Sequence, residues 1–266
     1  MLTTTVDGLW ALQVLTGIEV VAPELGLRPH LPSVETIDMA LRHPISVELQ
    51  AAKVITAEGT VDEPVVEWLT VLSRRDGALL LYAQSPANPS QPERVLLARF
   101  RQWWVALEHH EEIVRLSGAG IATTERSACE LINTEIKRLC GELPPAEVRP
   151  VTVDAAQLLT AVRDQASLRH FLLTQRLDPD QCGLLMQASD PKGSAQISIL
   201  ASPFAAGTVT IIDSPQGRLV SERITRGGKT WIVVSPGSAR QINSAVQKLM
   251  RCLPAEDAPY SHRKVV

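Results

Sequence analysis

Long apolar runs, an excess of one charge and patterned cysteine are what this 266-residue chain has least of, and each shortage removes a class of function. No stretch approaches the roughly 20 apolar residues of a membrane-spanning helix, so no membrane partner is expected. The amino terminus is apolar from Leu9 to Val21, but it has no basic leader and carries Glu19, with Asp7 just before it. That argues against a signal peptide. The net charge is −3, and no Lys/Arg cluster is interleaved with the aromatics, which make up 4% of the chain; no nucleic-acid partner is expected either. Cys129, Cys140, Cys182 and Cys252 fall in no metal-like spacing, and the first two would sit about 16 Å apart along one helix. They read as buried free thiols in a reducing cytoplasm.

What is present is an ordinary globular composition, 45% hydrophobic and 21% charged, long enough to bury a core. The most regular stretch is Thr208 to Pro254. Val209–Ile212 and Thr230–Val234 are β-branched runs bounded by turn signals at Ser214–Gly217 and Gly227–Gly228, with Leu219–Thr225 between them. Ser235 reads as an N-cap with Pro236 at the first helical position, and Ile242, Ala245, Val246, Leu249 and Met250 form one helical face.

The remainder follows the same plan. A strand at Thr3–Val6 leads to helices capped by Asp7, Ser33 and Asp62, the second interrupted at Pro44. Strands follow at Ala78–Ala83, Arg94–Phe100, Gln102–Glu108 and Glu111–Leu116, with a Pro/Ser/Asn-rich exposed loop from Ser85 to Glu93, then a helix from Thr124 to Gly141. Thr152-Val153-Asp154 repeats Thr5-Val6-Asp7, and helices carrying Leu158, Leu159 and Val162, or capped by Ser167 and Asp178, precede the strand Ala195–Ala201. Both halves therefore read strand, three helices, four strands, helix. The fold class is α+β: a central, mostly antiparallel sheet flanked by helical bundles, built from pseudo-two-fold repeats over 1–147 and 148–266 within one compact domain.

Reactive constellations are weak. Four consecutive positions, His109-His110-Glu111-Glu112, diverge at a strand turn and cannot close on one metal. His30 and His43 flank prolines and read as exposed polar residues. Gly118-Ala119-Gly120 lacks the third glycine of a dinucleotide fingerprint and reads as a turn; Gly228-Lys229-Thr230 lacks the first glycine of a phosphate loop and reads as a hairpin. No Gly-x-Ser-x-Gly elbow occurs. No enzyme activity, cofactor or metal is expected.

Leu2-Thr3-Thr4-Thr5-Val6-Asp7-Gly8-Leu9-Trp10, Ala22-Pro23-Glu24-Leu25-Gly26-Leu27-Arg28-Pro29 and Ser235-Pro236-Gly237 together resemble the EspG secretion chaperones of mycobacterial type VII (ESX) systems. The likeness runs along essentially the whole chain and looks nearest to the paralogue of the second ESX locus. The resemblance implies a cytosolic, non-enzymatic protein whose clients are PE-PPE heterodimers, gripped at the apolar tip of the PPE subunit and kept soluble for secretion. It implicates the sheet, the loop Ser85–Glu93 with Ser85, Asn88 and Gln91, and the helices Ser167–Asp190. Strand alternation puts Gln196, Ser198 and Leu200 on one face of the strand opposite Ile197 and Ile199, and Thr208, Thr210 and Ile212 on a matching face. With the resemblance, that face is expected to receive the client, with Leu200, Phe204 and Ile212 as apolar anchors. The alternatives are an ordinary solvated face, an unrelated adaptor, or a homodimeric structural protein, including a weak homodimer, that uses the same sheet; a small-molecule enzyme ranks below these. Neither Tyr82 nor Tyr260 begins the Tyr-x-x-x-Asp/Glu signal carried by exported substrates of such systems.

Overall fold

The computed structural model describes residues 1–85, 88–175, 177–190, 195–202, 207–251 and 253. In chain order the first half contains β1 (Leu2–Thr5), α1 (Val6–Thr16), α2 (Ile37–Arg42), α3 (Ile45–Ala51), α4 (Glu63–Arg74), β2 (Gly77–Ser85), β3 (Asn88–Phe100), β4 (Trp103–His110), β5 (Ile113–Ile121) and α5 (Glu125–Cys140). The second contains β6 (Val151–Asp154), α6 (Ala155–Ala161), α7 (Gln165–Thr174), α8 (Pro179–Ala188), β7 (Ala195–Ser202), β8 (Thr208–Ser214), β9 (Gly217–Arg226), β10 (Lys229–Pro236) and α9 (Ala239–Met250). This is an α+β fold with a large antiparallel sheet flanked by helices. Strands follow the order β1-β5-β4-β3-β2 in the first half and β7-β8-β9-β10-β6 in the second. The chain divides into two compact units, one of residues 1–80 and 93–131, the other of 81–92 and 132–253.

In the first unit β2, β3 and β4 carry runs that are apolar on both faces because both faces are covered there. Leu79 and Leu80, Val95 to Ala98 and Trp104 to Leu107 are all buried, and Val65, Leu69 and Leu72 supply the inward side of α4. The pairing of Trp104 with Gly120 and Val105 with Gly118 leaves Ala119 as the extra residue of a β-bulge. The Gly118-Ala119-Gly120 segment is thus part of β5 and not a separate turn. A side chain at Gly118 would meet the Trp68 indole nitrogen at 3.0 Å, and Gly120 has φ 140. The glycines are needed for the bulge and for the helix packed over it.

The second unit is closed by Arg218. Its buried guanidinium donates to both Asp213 carboxylate oxygens, at 2.6 and 2.8 Å, and to the carbonyls of Cys140 and Gly141, which end α5, at 3.0 and 3.1 Å. Its backbone carbonyl accepts from Ala146 and Gly237. The Asp213 hydrogen bonds raise the Arg218 pKa above its ordinary value although burial opposes the charge, and burial in the same place pushes the Cys140 thiol up.

Several local expectations are corrected by the ladders. Ser235 and Pro236 finish β10 opposite Val220 and Leu219, so the N-cap of α9 is Ser238, whose hydroxyl accepts from Gln241. Thr5, not Asp7, caps α1, whereas Asp154 does cap α6, so the two Thr-Val-Asp triplets are offset by two positions relative to the helix starts. Thr36 replaces Ser33 as the cap of α2. Asp164 replaces Ser167 as the cap of α7, with Ser167 completing a capping box. The loop expected from Ser85 to Glu93 is largely strand: β2 runs to Ser85 and β3 starts at Asn88, extending beyond the Arg94–His109 pair that begins the β4 ladder. Prolines are tolerated in such an overhang because no β4 partner requires their missing N–H.

Candidate functional site

The face expected from alternation exists. Gln196, Ser198 and Leu200 of β7 lie directly opposite Ile212, Thr210 and Thr208 of β8, and all six are half-buried. Ile197, Ile199, Val209 and Ile211 on the reverse side are buried, and α9 packs on these strands with Ile242, Ala245, Val246 and Leu249 inward. Ser198 Oγ and Thr210 Oγ1 are 3.4 Å apart across the ladder.

The face is covered unevenly. Ile212 packs with Val148 and Val234 against a buried cluster of Ala146, Leu184, Ala188 and Leu219, so α8 already occupies part of its apolar surface. Gln196 donates to the Ala188 carbonyl at 3.3 Å, closing the same end. Further along, Val151, Val153, Phe171, Leu172 and Cys182 form a second buried cluster with Ile232 and Leu158 against it. Among the described residues neither buried cluster includes the far end of the β7–β8 pair, where Leu200 is half-buried beside Ser198, Thr208 and Thr210. Ile212 itself stays half-buried, part of its side chain packed against the cluster around Leu184. The backbones of Ser85, Asn88 and Gln91 belong to β2 and β3, while their side chains and the whole of Phe204 lie outside the described residues.

Sequence patterning missed a second feature. Helices α6 and α7 border an open hollow of about 500 Å³ lined by Gln157, Thr160, Phe171, Thr174 and Gln175. The same helices expose Leu159 at 73% and Leu173 at 57%. Of Leu158 and Leu159 only the first packs on the cluster, since the step of about 100° between them turns Leu159 out of the contact this short helix makes. No local signal separates these leucines from the consecutive pairs Ala245-Val246 and Leu249-Met250 of α9, all of which are buried.

The polar clusters considered from sequence have structural partners. His109 presents its two ring nitrogens to the carbonyls of Leu25 and Glu111, and Glu111 itself occupies the turn with φ 53. His30 is not exposed as expected; it is buried, with Nδ1 2.8 Å from Glu35. Burial opposes the charge on Glu35, but hydrogen bonds from the Leu31 N–H, Arg28 and His30 outweigh it and hold the carboxyl at about 2. Among the described residues no group of three His, Cys, Asp or Glu side chains could hold a metal ion, and no helix is long and apolar enough to cross a membrane.

An EspG-family sequence profile matches residues 5–248. The chain belongs to the EspG family. It is 48% identical to the ESX-2 secretion-associated protein EspG2 of Mycobacterium tuberculosis, strain H37Rv, in an alignment of 278 positions covering all of both chains. Identity to the ESX-5 secretion-associated protein EspG5 of Mycobacterium marinum is 24%, over 95% of this chain and 94% of that one. The fold is shared with the Mycobacterium tuberculosis type VII secretion system chaperone EspG5, solved in complex with the PE25-PPE41 dimer: TM-score 0.75, 21% identity, 95% of this chain and 96% of that one. The EspG assignment thus rests on sequence along nearly the whole chain, and the sheet-and-helix architecture is that of a solved family member.

Proposed function

We propose that this EspG-family protein is a cytosolic chaperone of a type VII (ESX) secretion system, binding the apolar tip of the PPE subunit of a cognate PE-PPE heterodimer and keeping that dimer soluble. Full-length membership of the family carries the reading, together with a solved relative captured with a PE-PPE dimer. The reading requires no catalysis, cofactor or metal.

In this reading the client tip docks on the half-buried Leu200 end of the β7–β8 face. Leu200 is the apolar anchor, with Phe204 beside it in sequence; Ser198, Thr208 and Thr210 pair with client backbone groups, Gln196 and Ile212 form the α8-packed margin, and Ser85, Asn88 and Gln91 border the site. The element order of the two halves, 1–147 and 148–266, supports descent from a duplicated strand–helices–four-strand–helix unit, with Pro44 dividing one helix of the first copy into α2 and α3.

The test is co-expression of the chain with a candidate PE-PPE pair, followed by affinity capture and gel filtration. A buried interface anchor contributes about 2 kcal/mol or more, roughly thirtyfold in affinity. Leu200→Asp should therefore abolish capture while leaving the circular dichroism and melting temperature of the free protein nearly unchanged. A folded Leu200→Asp protein that captures the client like wild type would move the interface to the α6–α7 hollow, where Leu159→Asp and Leu173→Asp are the corresponding variants. If wild type captures no PE-PPE pair and instead runs as a dimer that Leu200→Asp dissociates, the face is a homodimer contact and not a client site.

A further inference from the structure

The first unit contains a cavity of about 520 Å³ that the chaperone reading does not use. Its walls come from α4 between Glu63 and Val71 and from β4 and β5 at the bulge. Gly118 leaves room for the Trp68 indole to lie against the sheet; any side chain there would meet the ring at 3.0 Å. At the mouth, Trp103 and Ile121 face each other across the ladder, 46% and 55% exposed. Large apolar side chains left this open, directly paired and beside a concavity, are characteristic of binding sites.

The polar groups of this cavity have a single sign. Glu63 and Glu67 lie one turn apart on α4 and both line it, while no lysine, arginine or histidine does. Neither carboxylate forms an ion pair among the described residues. Like charges at this helical spacing repel, and the helix dipole favours the first-turn carboxylate of Glu63 more than that of Glu67. Trp68, Trp103 and the buried Trp104 line the concavity with the two carboxylates, and indole π faces beside carboxylates are complementary to a flat organic cation.

We propose that this cavity receives an arginine side chain presented by an extended basic segment of a partner protein. The guanidinium lies against the Trp68 and Trp103 indoles, its N–H groups donate to Glu63 and Glu67, and the residues flanking the arginine rest on Ile121. Guanidinium fits better than ammonium because it is planar, stacks on aromatic rings and is weakly hydrated, so it enters an apolar mouth at smaller cost. The site is in the first unit and is independent of client binding at β7–β8.

The experiment titrates the full chain with the peptide acetyl-Ala-Ala-Arg-Ala-Ala-amide, following indole N–H resonances and tryptophan fluorescence, with the citrulline peptide and tetramethylammonium as comparisons. The arginine peptide should bind at low salt, with the citrulline peptide about tenfold weaker or more, as expected when a charge-assisted contact and a cation–π contact are lost together. Glu67→Gln and Trp103→Leu should each weaken the arginine peptide about threefold or more, with melting temperatures unchanged because both positions are exposed or half-exposed. Equal affinity for the citrulline peptide, wild-type affinity in both variants, or no binding by the arginine peptide overturns the proposal. Tighter binding of tetramethylammonium than of the peptide also overturns it, in favour of a small-cation site.

Discussion

The central strands β3 and β4 bury their side chains differently from β7 and β8. In β3 and β4 the buried residues are consecutive, Val95 to Ala98 and Trp104 to Leu107, as in a sheet covered on both faces. In β7 and β8 they alternate, Ile197, Ile199, Val209 and Ile211 buried and their neighbours half-buried. One side of that pair is packed by α9, while on the other, among the described residues, α8 reaches Gln196 and Ile212. A face completed from within contributes to stability; a face left half-covered leaves surface for another molecule. In β9 the buried run Gly217 to Val220 is again continuous, and Arg218 within it ties the surrounding backbone together.

That contrast breaks most severely at Arg218. Arg218→Ala leaves Asp213 and the carbonyls of Cys140 and Gly141 without their buried donor, and removal of one partner from such a network costs about 3 kcal/mol or more. Urea unfolding should show the loss as a lower midpoint. A change below about 1 kcal/mol would mean that water replaces the guanidinium without penalty.

Next in size is a matched pair of truncations. Leu97→Ala, in the doubly covered strand, should cost about 3 kcal/mol through lost burial and a residual cavity, whereas Leu200→Ala should cost less than about 1 kcal/mol. Equal losses in chemical denaturation would erase the distinction between the two strand environments.

The smallest effect is in acid. Glu35 titrates near 2 when folded and near 4.5 when unfolded, so its contribution is fully present above pH 4.5 and is lost as pH falls towards 2. Melting temperature measured between pH 5 and pH 2 should fall more steeply for wild type than for Glu35→Gln. Parallel slopes would show that the His30–Arg28–Glu35 cluster does not couple to folding.

The order of elements was legible because β-branched runs, amphipathic helices and Gly/Pro punctuation are local signals, and the same local alternation revealed the face containing Ser198, Leu200, Thr208 and Thr210. Helix starts were less legible, since Ser235 and Ser238 are equally good caps and only the pairing of Ser235 with Val220 selects the second. The bulge at Gly118–Gly120 depends on β4, and the strand-forming Asn88–Glu93 overhang has the composition of a turn. The packing of Ile212 was illegible for a similar reason: it is set by α8, whose Leu184 lies far from it in sequence. Local pattern assigns a residue to a face, but only tertiary contacts determine whether that face remains open.

Arg218 also has a kinetic consequence. The carbonyls it holds at Cys140 and Gly141 are 78 and 77 residues away in the chain. The last turn of α5 thus cannot be secured until the β8–β9 hairpin has formed and returned to it, closing a long loop whose entropy must be spent first. During synthesis α5 emerges well before its clasp and waits with a frayed end, so the amides of its final turn should gain protection from hydrogen exchange in step with β9 and not with the rest of their own helix.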